Sequence, residues 1–523
     1  MRLPQTSPNL EAQTRSGGST PFWSLSELPP THGPLTGDLE TEVCIIGAGI
    51  AGLTTAYRCL LEGRKVVVLD QGEVGAGETL RTSAHLANAL DDRFTYLERR
   101  HGRTGARLLA ESHAAAIDTI ESLCAEHGIE CGFERLSGYL YPAEAEGPAE
   151  FLSQECEAAV RAGLVAELVE VPRLGFGEKA PALRFAHQGA CDMGEYLSGL
   201  ARVVLQKGGR VHTSSRVLEV IPGDRARVQL GTGQCVTAGH VVVATGMPIT
   251  STVSLPLKQA AYRSYVCAFM IPAGRVVRGL HWDNEDPYHY VRLAACTTPG
   301  HEFLLVGGED HKTGQDDAPE ECFARLTAWA QKRYPFANEP DYQWSGQILE
   351  PMDRVGFVGR SPGLGDNVYV ITGDSGNGLT LGTLGAKILA DAIAGRANEW
   401  SQVYEPGRSM LPALGTLISE ATNLAVQYFD HLRPGDVDSV DQIGPEEGAL
   451  LREGLSLHAV YRDKNGECHV CSAICPHLGG VVHWNTVEKT WDCPCHGSRF
   501  DALGKVFTGP ATGDLLPIER RGK

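Results

Sequence analysis

The chain is 523 residues long, 42% hydrophobic and 21% charged, with a formal net charge of -18. That length exceeds what one hydrophobic core serves and predicts roughly three domains, while the negative field disfavours nucleic acid and anionic lipid as partners. No apolar run is long enough to span a bilayer and no positively flanked leader follows Met1, so a cytoplasmic protein without an integral membrane segment is expected.

Residues 1–38 are rich in Pro, Ser, Thr and Gly and carry no apolar period, which predicts a loosely held N-terminal arm. A short apolar strand, Val43 to Ile46, then leads through a glycine turn into a helix ending near Glu62. A second strand, Lys65 to Leu69, completes a βαβ unit. The turn reads Gly47-x-Gly49-x-x-Gly52. Its first glycine permits the tight bend, the second lets a phosphate approach the backbone, and the third lets the helix pack closely on the strand. Ile50 and Ala51 open the helix, whose N-terminus favours an anion, and Asp70 with Gln71 ends the second strand, where an acid can bond a ribose. A bare glycine motif also fits a structural turn; here strand, helix, second strand and terminal acid agree on a dinucleotide site.

A second glycine-rich turn, Gly72 to Thr79, follows and runs on into Arg81-Thr82-Ser83. The stretches 85–200 and 250–350 mix helices with aromatic-rich strands such as Tyr288-His289-Tyr290-Val291 and predict an inserted second domain. Between them, Arg210 to Gly246 alternates like β-hairpin material, closing with a buried strand and Ala244-Thr245-Gly246. Asn367 to Gly395 is again strand, glycine turn and helix. An apolar stripe from Leu414 to Phe429 leads through Arg433-Pro434-Gly435 into an acidic segment, and a domain boundary is expected there.

Ten of the 15 cysteines scatter between Cys44 and Cys322, and five crowd into Cys468 to Cys495. An odd number without a leader points to reduced thiols, with metal ligation in the crowd. There Cys475-Pro476-His477 and Cys493-Pro494-Cys495-His496 are separated by 15 residues. Two thiolates and two imidazoles suit zinc or a Rieske cluster. Cys468, Cys471 and His483 read as strand residues.

Residues 40–400 resemble the D-amino-acid oxidase-like, or glycine oxidase-like, flavoprotein family. The resemblance implies FAD as cofactor, with Gly77-Glu78-Thr79 through Ser83-Ala84-His85 along the flavin and Val217 against the adenine. It adds Ala244-Thr245-Gly246 as a second nucleotide contact and the turn Gly373-Asp374-Ser375-Gly376-Asn377-Gly378-Leu379-Thr380 at the flavin's pyrimidine side. Residues 435–520 resemble the Rieske family, through Leu478-Gly479-Gly480, Gly497-Ser498 and Gly509-Pro510-Ala511. That resemblance implies a [2Fe-2S] cluster with Cys475 and Cys493 on one iron and His477 and His496 on the other. Gly480 stands where quinol-oxidising relatives place a disulfide cysteine, and Phe500 where they place a tyrosine; both departures imply a lower potential.

The expected fold is therefore an α/β Rossmann-like FAD-binding domain with an inserted α+β substrate domain, plus a small all-β Rieske domain, divided as arm 1–38, oxidoreductase 39–432 and Rieske domain 433–523. The flavoprotein resemblance implies oxidation of an amine or amino acid at its C-N bond, with the cluster passing electrons to an external one-electron carrier. Two alternatives stay open: a reductase or oxygenase whose flavin the cluster feeds, and a redox-sensing module. For substrate binding, Tyr288, Tyr290 and Arg292 alternate along one strand, and an arginine beside aromatics can clamp a carboxylate. Arg354 is a further candidate. A solvated sheet surface accounts for these residues equally well.

Overall fold

The computed structural model of the protein describes residues 17–23, 29–143, 148–250, 255–315, 318–410 and 413–518. Its first sheet is built on Leu39–Ile46, whose apolar residues are buried on both faces as a parallel central strand requires. This strand pairs in parallel with Val66–Leu69 on one side and Cys235–Val243 on the other. Arg210–His212 extends the first edge and Val368–Thr372 the second, again in parallel. The helix Ile50–Leu61 returns over the sheet and packs against the helix Gly378–Ile393.

A second sheet, nine-stranded among the described residues, takes its strands from two separate stretches, His85 to Ala190 and Gln259 to Pro351. Its long strands Gln259–Pro272, His301–Lys312 and Tyr342–Pro351 run antiparallel side by side. The helix Pro319–Arg333 covers one face through Cys322, Phe323 and Leu326. At the C-terminal end, two small antiparallel sheets follow, Glu447–Glu453 with Ser456–Arg462 and Cys468–Ser472, and four short strands from His483 to Thr508. Among the described residues no helix is long and apolar enough to cross a membrane.

The described part of the first 38 residues is not loosely held. Trp23 is 2% exposed and donates its indole N–H to the Thr82 carbonyl at 2.6 Å, and Phe22 packs edge-on against Trp23, Phe303 and Tyr342. Two adjacent aromatics suffice to dock a segment whose remaining composition is that of a linker.

One buried carboxylate of the small C-terminal domain reaches deep into the rest of the chain. Glu488 sits in the turn between His483–Asn485 and Thr490–Asp492, where its own N–H is held by the Asn485 side chain. From there its carboxylate enters the larger part of the chain and meets Arg263 at 3.1 Å and Arg81 at 3.3 Å. Ser19 donates to it at 2.6 Å and Ser345 donates to the same oxygen. The side chains of Glu488 and Arg263 are fully buried, and Nε and Nη1 of Arg263 make no hydrogen bond among the described residues. Burial alone would raise the Glu488 pKa, but the guanidiniums of Arg81, Arg263 and Arg499 outweigh it and hold the value down to about 2.

Removing one partner of such a pair leaves charge buried and uncompensated, so Glu488→Ala is expected to cost about 3–5 kcal/mol, measured by urea unfolding. The depressed carboxyl contributes stability that is complete above its unfolded value of 4.5 and lost as the pH falls towards 2. Acid unfolding of the parent protein is therefore expected to be steeper below pH 4.5 than that of Glu488→Ala.

Candidate functional site

One cavity of about 720 Å³ runs along the C-terminal ends of the first sheet's strands and continues under the second sheet. The glycine turn forms its floor. Gly47 has φ +111, and a Cβ there would lie 2.3 Å from the Ala244 carbonyl oxygen. Gly52 faces away from the cavity, and its missing Cβ would overlap the Gly47 oxygen, so its role is the close packing of helix on strand. Asp70 accepts the N–H groups of Ala48 and Gly72 at 2.6 and 2.7 Å and so rigidifies the turn.

Two helices point their N-termini into this space. Neither Ile50–Leu61 nor Gly378–Ile393 is capped by the side chain of its N-cap residue or carries an acidic residue in the first turn, although the Thr79 hydroxyl accepts the Ile50 N–H at 3.2 Å. Two such helix ends at one cavity leave further N–H groups and positive dipole ends for an anionic ligand. That donor set, with the glycine cradle, fits a dinucleotide.

Of the cofactor residues expected from sequence, Gly47, Gly49, Ile50, Ala51, Asp70, Gln71, Gly77, Thr79, Thr82 and Ser83 line the cavity, as do Val217, Ala244, Thr245, Gly246, Gly373, Asp374, Gly376 and Gly378. Ala84 and Thr380 do not. Thr380 instead bonds His113 at 2.8 Å behind the helix end. Arg81 borders the cavity, yet its guanidinium points into the Ser19, Ser345 and Glu488 network. Arg292 is a clear correction: it lies outside the cavity, donates to the carbonyls of Ala84 and Leu293, and stacks over Trp23 at 5.2 Å. It cannot clamp a substrate carboxylate.

Tyr288, Tyr290 and Arg354 do line the cavity, together with carboxylates that the sequence did not single out. Asp310 accepts the Tyr288 hydroxyl at 2.9 Å, while its Oδ1 is buried and without a partner among the described residues. Burial pushes Asp310 up to about 6 and Asp91 up to about 7. Of the guanidiniums at this end, Arg354 pairs with Glu350 and Asp92, while Arg93 donates to the Asp91 carbonyl and to Asn284 and leaves its Nε buried without a partner among the described residues.

The second site lies in the C-terminal domain. Two loops of matching geometry carry Cys475 and Cys493. In each, the cysteine N–H bonds the carbonyl five residues on, to Gly480 and Ser498, and the N–H four residues on returns to the cysteine carbonyl. That returning residue has positive φ in both loops, +80 at Gly479 and +73 at Gly497, which glycine alone adopts at no cost. The loops face one another, with the Cys475 and Cys493 thiols sharing a hydrogen bond and the rings of His477 and His496 5.0 Å apart at 88°.

His496 is 4% exposed, and both its ring nitrogens are buried without a partner among the described residues. Burial, reinforced by His477, lowers its pKa to about 4, so the ring is neutral. An orphaned neutral imidazole beside two buried thiols is the donor set of a metal centre. Cys468 and Cys471 lie in the strand Cys468–Ser472 and His483 in His483–Asn485. Gly480 closes the remaining space, since a Cβ there would come within 2.5 Å of the Cys495 sulfur. With no cross-link, the first loop is held by the preceding segment: Tyr428 donates to the Leu478 carbonyl at 2.6 Å and His431 meets that of Gly479 at 2.8 Å.

The two sites adjoin. Gln347 lines the cavity and donates from Nε2 to the carbonyl of Gly497, the neighbour of His496, at 3.2 Å. Gly314, at φ +72, lets the turn after His301–Lys312 reach the second loop, since a Cβ there would meet Asp492 O and Pro494 N at 2.9 Å.

Fold and donor sets together define a flavin-dependent oxidoreductase that carries a Rieske centre. The chain belongs to the FAD dependent oxidoreductase family, whose model matches residues 42–392, and a Rieske [2Fe-2S] domain model matches residues 423–518. It is 31% identical to YhfW of Bacillus subtilis (strain 168), named as a Rieske 2Fe-2S iron-sulfur protein, over 95% of this chain and 97% of that one. It is 25% identical to gamma-glutamylputrescine oxidoreductase of Escherichia coli (strain K12), over 76% and 93%. Its fold matches the crystal structure of glycine oxidase from Geobacillus kaustophilus with a TM-score of 0.57 at 16% identity, covering 72% of this chain and 98% of that one.

Removing the Tyr428 hydroxyl frees one carbonyl of the first loop, and a net hydrogen bond of this kind corresponds to roughly a fivefold effect. Tyr428→Phe is accordingly expected to lose iron to a chelator about that much faster, while its flavin absorbance is retained.

Proposed function

We propose that the protein oxidises an amine at a C-N bond in this cavity and passes the electrons through the cluster to an external one-electron carrier. The observation that carries the choice of substrate is the acidic end of the cavity, where Asp91 and Asp310 stand with Tyr288 and Tyr290 and where Arg354 is already paired with Glu350 and Asp92. Such a surface suits an ammonium group. Arg354, already held by two carboxylates, is a poor bidentate partner for the carboxylate of an α-amino acid. The likeness to a relative named for gamma-glutamylputrescine points the same way.

FAD, when bound, supplies the two-electron acceptor. The chain's own residues bind and deprotonate. Asp310 Oδ1 takes the ammonium proton, a task matched to a carboxyl whose pKa lies near 6. Tyr288 orients that carboxylate by donating to its other oxygen. Gly47, Gly49, Asp70, Val217, Ala244 and Gly378 are proposed to hold the nucleotide, and Cys475, His477, Cys493 and His496 the cluster. Gln347 and the Gly497 peptide bridge the two sites. His477, half-exposed between exposed Pro476 and Leu478, is the proposed exit for electrons. Residues 39–432 and 433–523 are the proposed units.

Because Asp310 and Asp91 ionise as the pH rises through about 6 and about 7, binding of a cationic amine is expected to strengthen over that window and KM to fall. Asp310→Asn removes a charged hydrogen bond, which corresponds to roughly a 10- to 100-fold rise in KM. Steady-state kinetics on a panel of amines and amino acids test this. Amino acids outperforming the matching amines, or a KM unmoved by Asp310→Asn, would rule the reading out.

A further inference from the structure

The nucleotide end of the FAD cavity is walled in part by the Rieske domain. Val506 to Gly509, with Ala511 and Thr512, line the same cavity as the Gly47 to Ala51 turn, although more than four hundred residues separate them in sequence. The loop is tied down at two points beside nucleotide-facing positions. Gln71, next to Asp70, donates its amide to the Phe507 carbonyl. Arg216, next to Val217, donates to the Thr512 carbonyl at 2.5 Å and pairs with Asp514 at 2.8 Å. The Asp514 carboxylate in turn accepts the Val506 N–H at 3.0 Å, so the ion pair clamps both ends of the loop.

The same loop touches the cluster site. Ala511 donates its N–H to the Ser498 hydroxyl at 3.0 Å, and Ser498 bonds Cys475. Gly509 packs on the segment after the Gly246 turn, where an added Cβ would lie 3.2 Å from the Ile249 side chain and 3.4 Å from the Met247 carbonyl oxygen. A single short segment thus borders both cofactor sites.

We propose that loop 506–512 of the Rieske domain is a component of the FAD site, closing its nucleotide end so that FAD and the docked domain hold one another in place. FAD then leaves only when the loop lifts. Linkage requires the converse: bound FAD stabilises the docked loop by the same factor by which the docked loop strengthens FAD binding. The proposal depends on the FAD and Rieske sites and not on the substrate or on the direction of electron flow, so it stands or falls apart from the amine reading.

The test uses the full chain with both cofactors. Amide hydrogen exchange is followed at residues 506–512 in FAD-depleted protein before and after FAD is restored, and FAD affinity is measured by flavin fluorescence in Arg216→Ala and in Asp514→Ala. Exchange in the loop is expected to slow when FAD binds. Loss of a charge-assisted bond to the loop corresponds to FAD affinity weaker by roughly tenfold in Arg216→Ala, and Asp514→Ala, a change within the Rieske domain, shifts it in the same direction while the cluster absorbance stays. Exchange at 506–512 indifferent to FAD overturns the proposal, and so does FAD affinity unchanged in both variants.

Discussion

A carboxylate buried between two guanidiniums sets the geometry on which the two cofactor sites depend. Glu488 is fully buried, and so is Arg263, which among the described residues has no other anionic partner within hydrogen-bond reach. Separating the domains would leave Arg263 to be hydrated or neutralised, and a buried unpaired charge costs several kcal/mol. The ion pair therefore acts less as a source of net stability than as a register device: it penalises every arrangement except the one in which Glu488 meets Arg81 and Arg263. Fixed there, the second cluster loop meets the turn at Gly314 and the side chain of Gln347, and the loop 506–512 meets Gln71 and Arg216.

This docking gives the fusion a physical meaning. A two-electron acceptor and a one-electron centre placed on one chain need not exchange electrons, but here the cavity wall and the peptide following His496 share a hydrogen bond. His477, by contrast, is half-exposed. Each imidazole thus has a different environment, buried for one and accessible for the other, although sequence spacing treats them alike.

Features made of neighbouring residues were legible in the sequence. Gly47 to Gly52 with the strand before it and Asp70 after it form one local unit, and the matching cysteine loops are six-residue turns whose glycines at 479 and 497 are dictated by positive φ. Features made by tertiary approach were not. Nothing in the turn around Glu488 announces arginines more than two hundred residues away, and Asp310 became a cavity residue only because the end of the strand His301–Lys312 borders the cavity. Arg292 shows the limit of strand parity: it shares a strand face with Tyr288 and Tyr290, but its longer side chain passes under the cavity to the Ala84 carbonyl. Composition likewise concealed that Phe22 and Trp23 anchor a Pro- and Ser-rich segment.

The proposed function rests on electrons from an amine passing within one chain from the cavity to the docked cluster. The most direct measurement is anaerobic stopped-flow reduction by substrate, with flavin bleaching followed by absorbance and the reduced cluster by freeze-quenched electron paramagnetic resonance, over a range of protein concentrations. The flavin is expected to bleach first, and the reduced-cluster signal to follow at a rate independent of protein concentration. A cluster that stays oxidised beside reduced flavin, or is reduced only at a rate proportional to protein concentration, would contradict it.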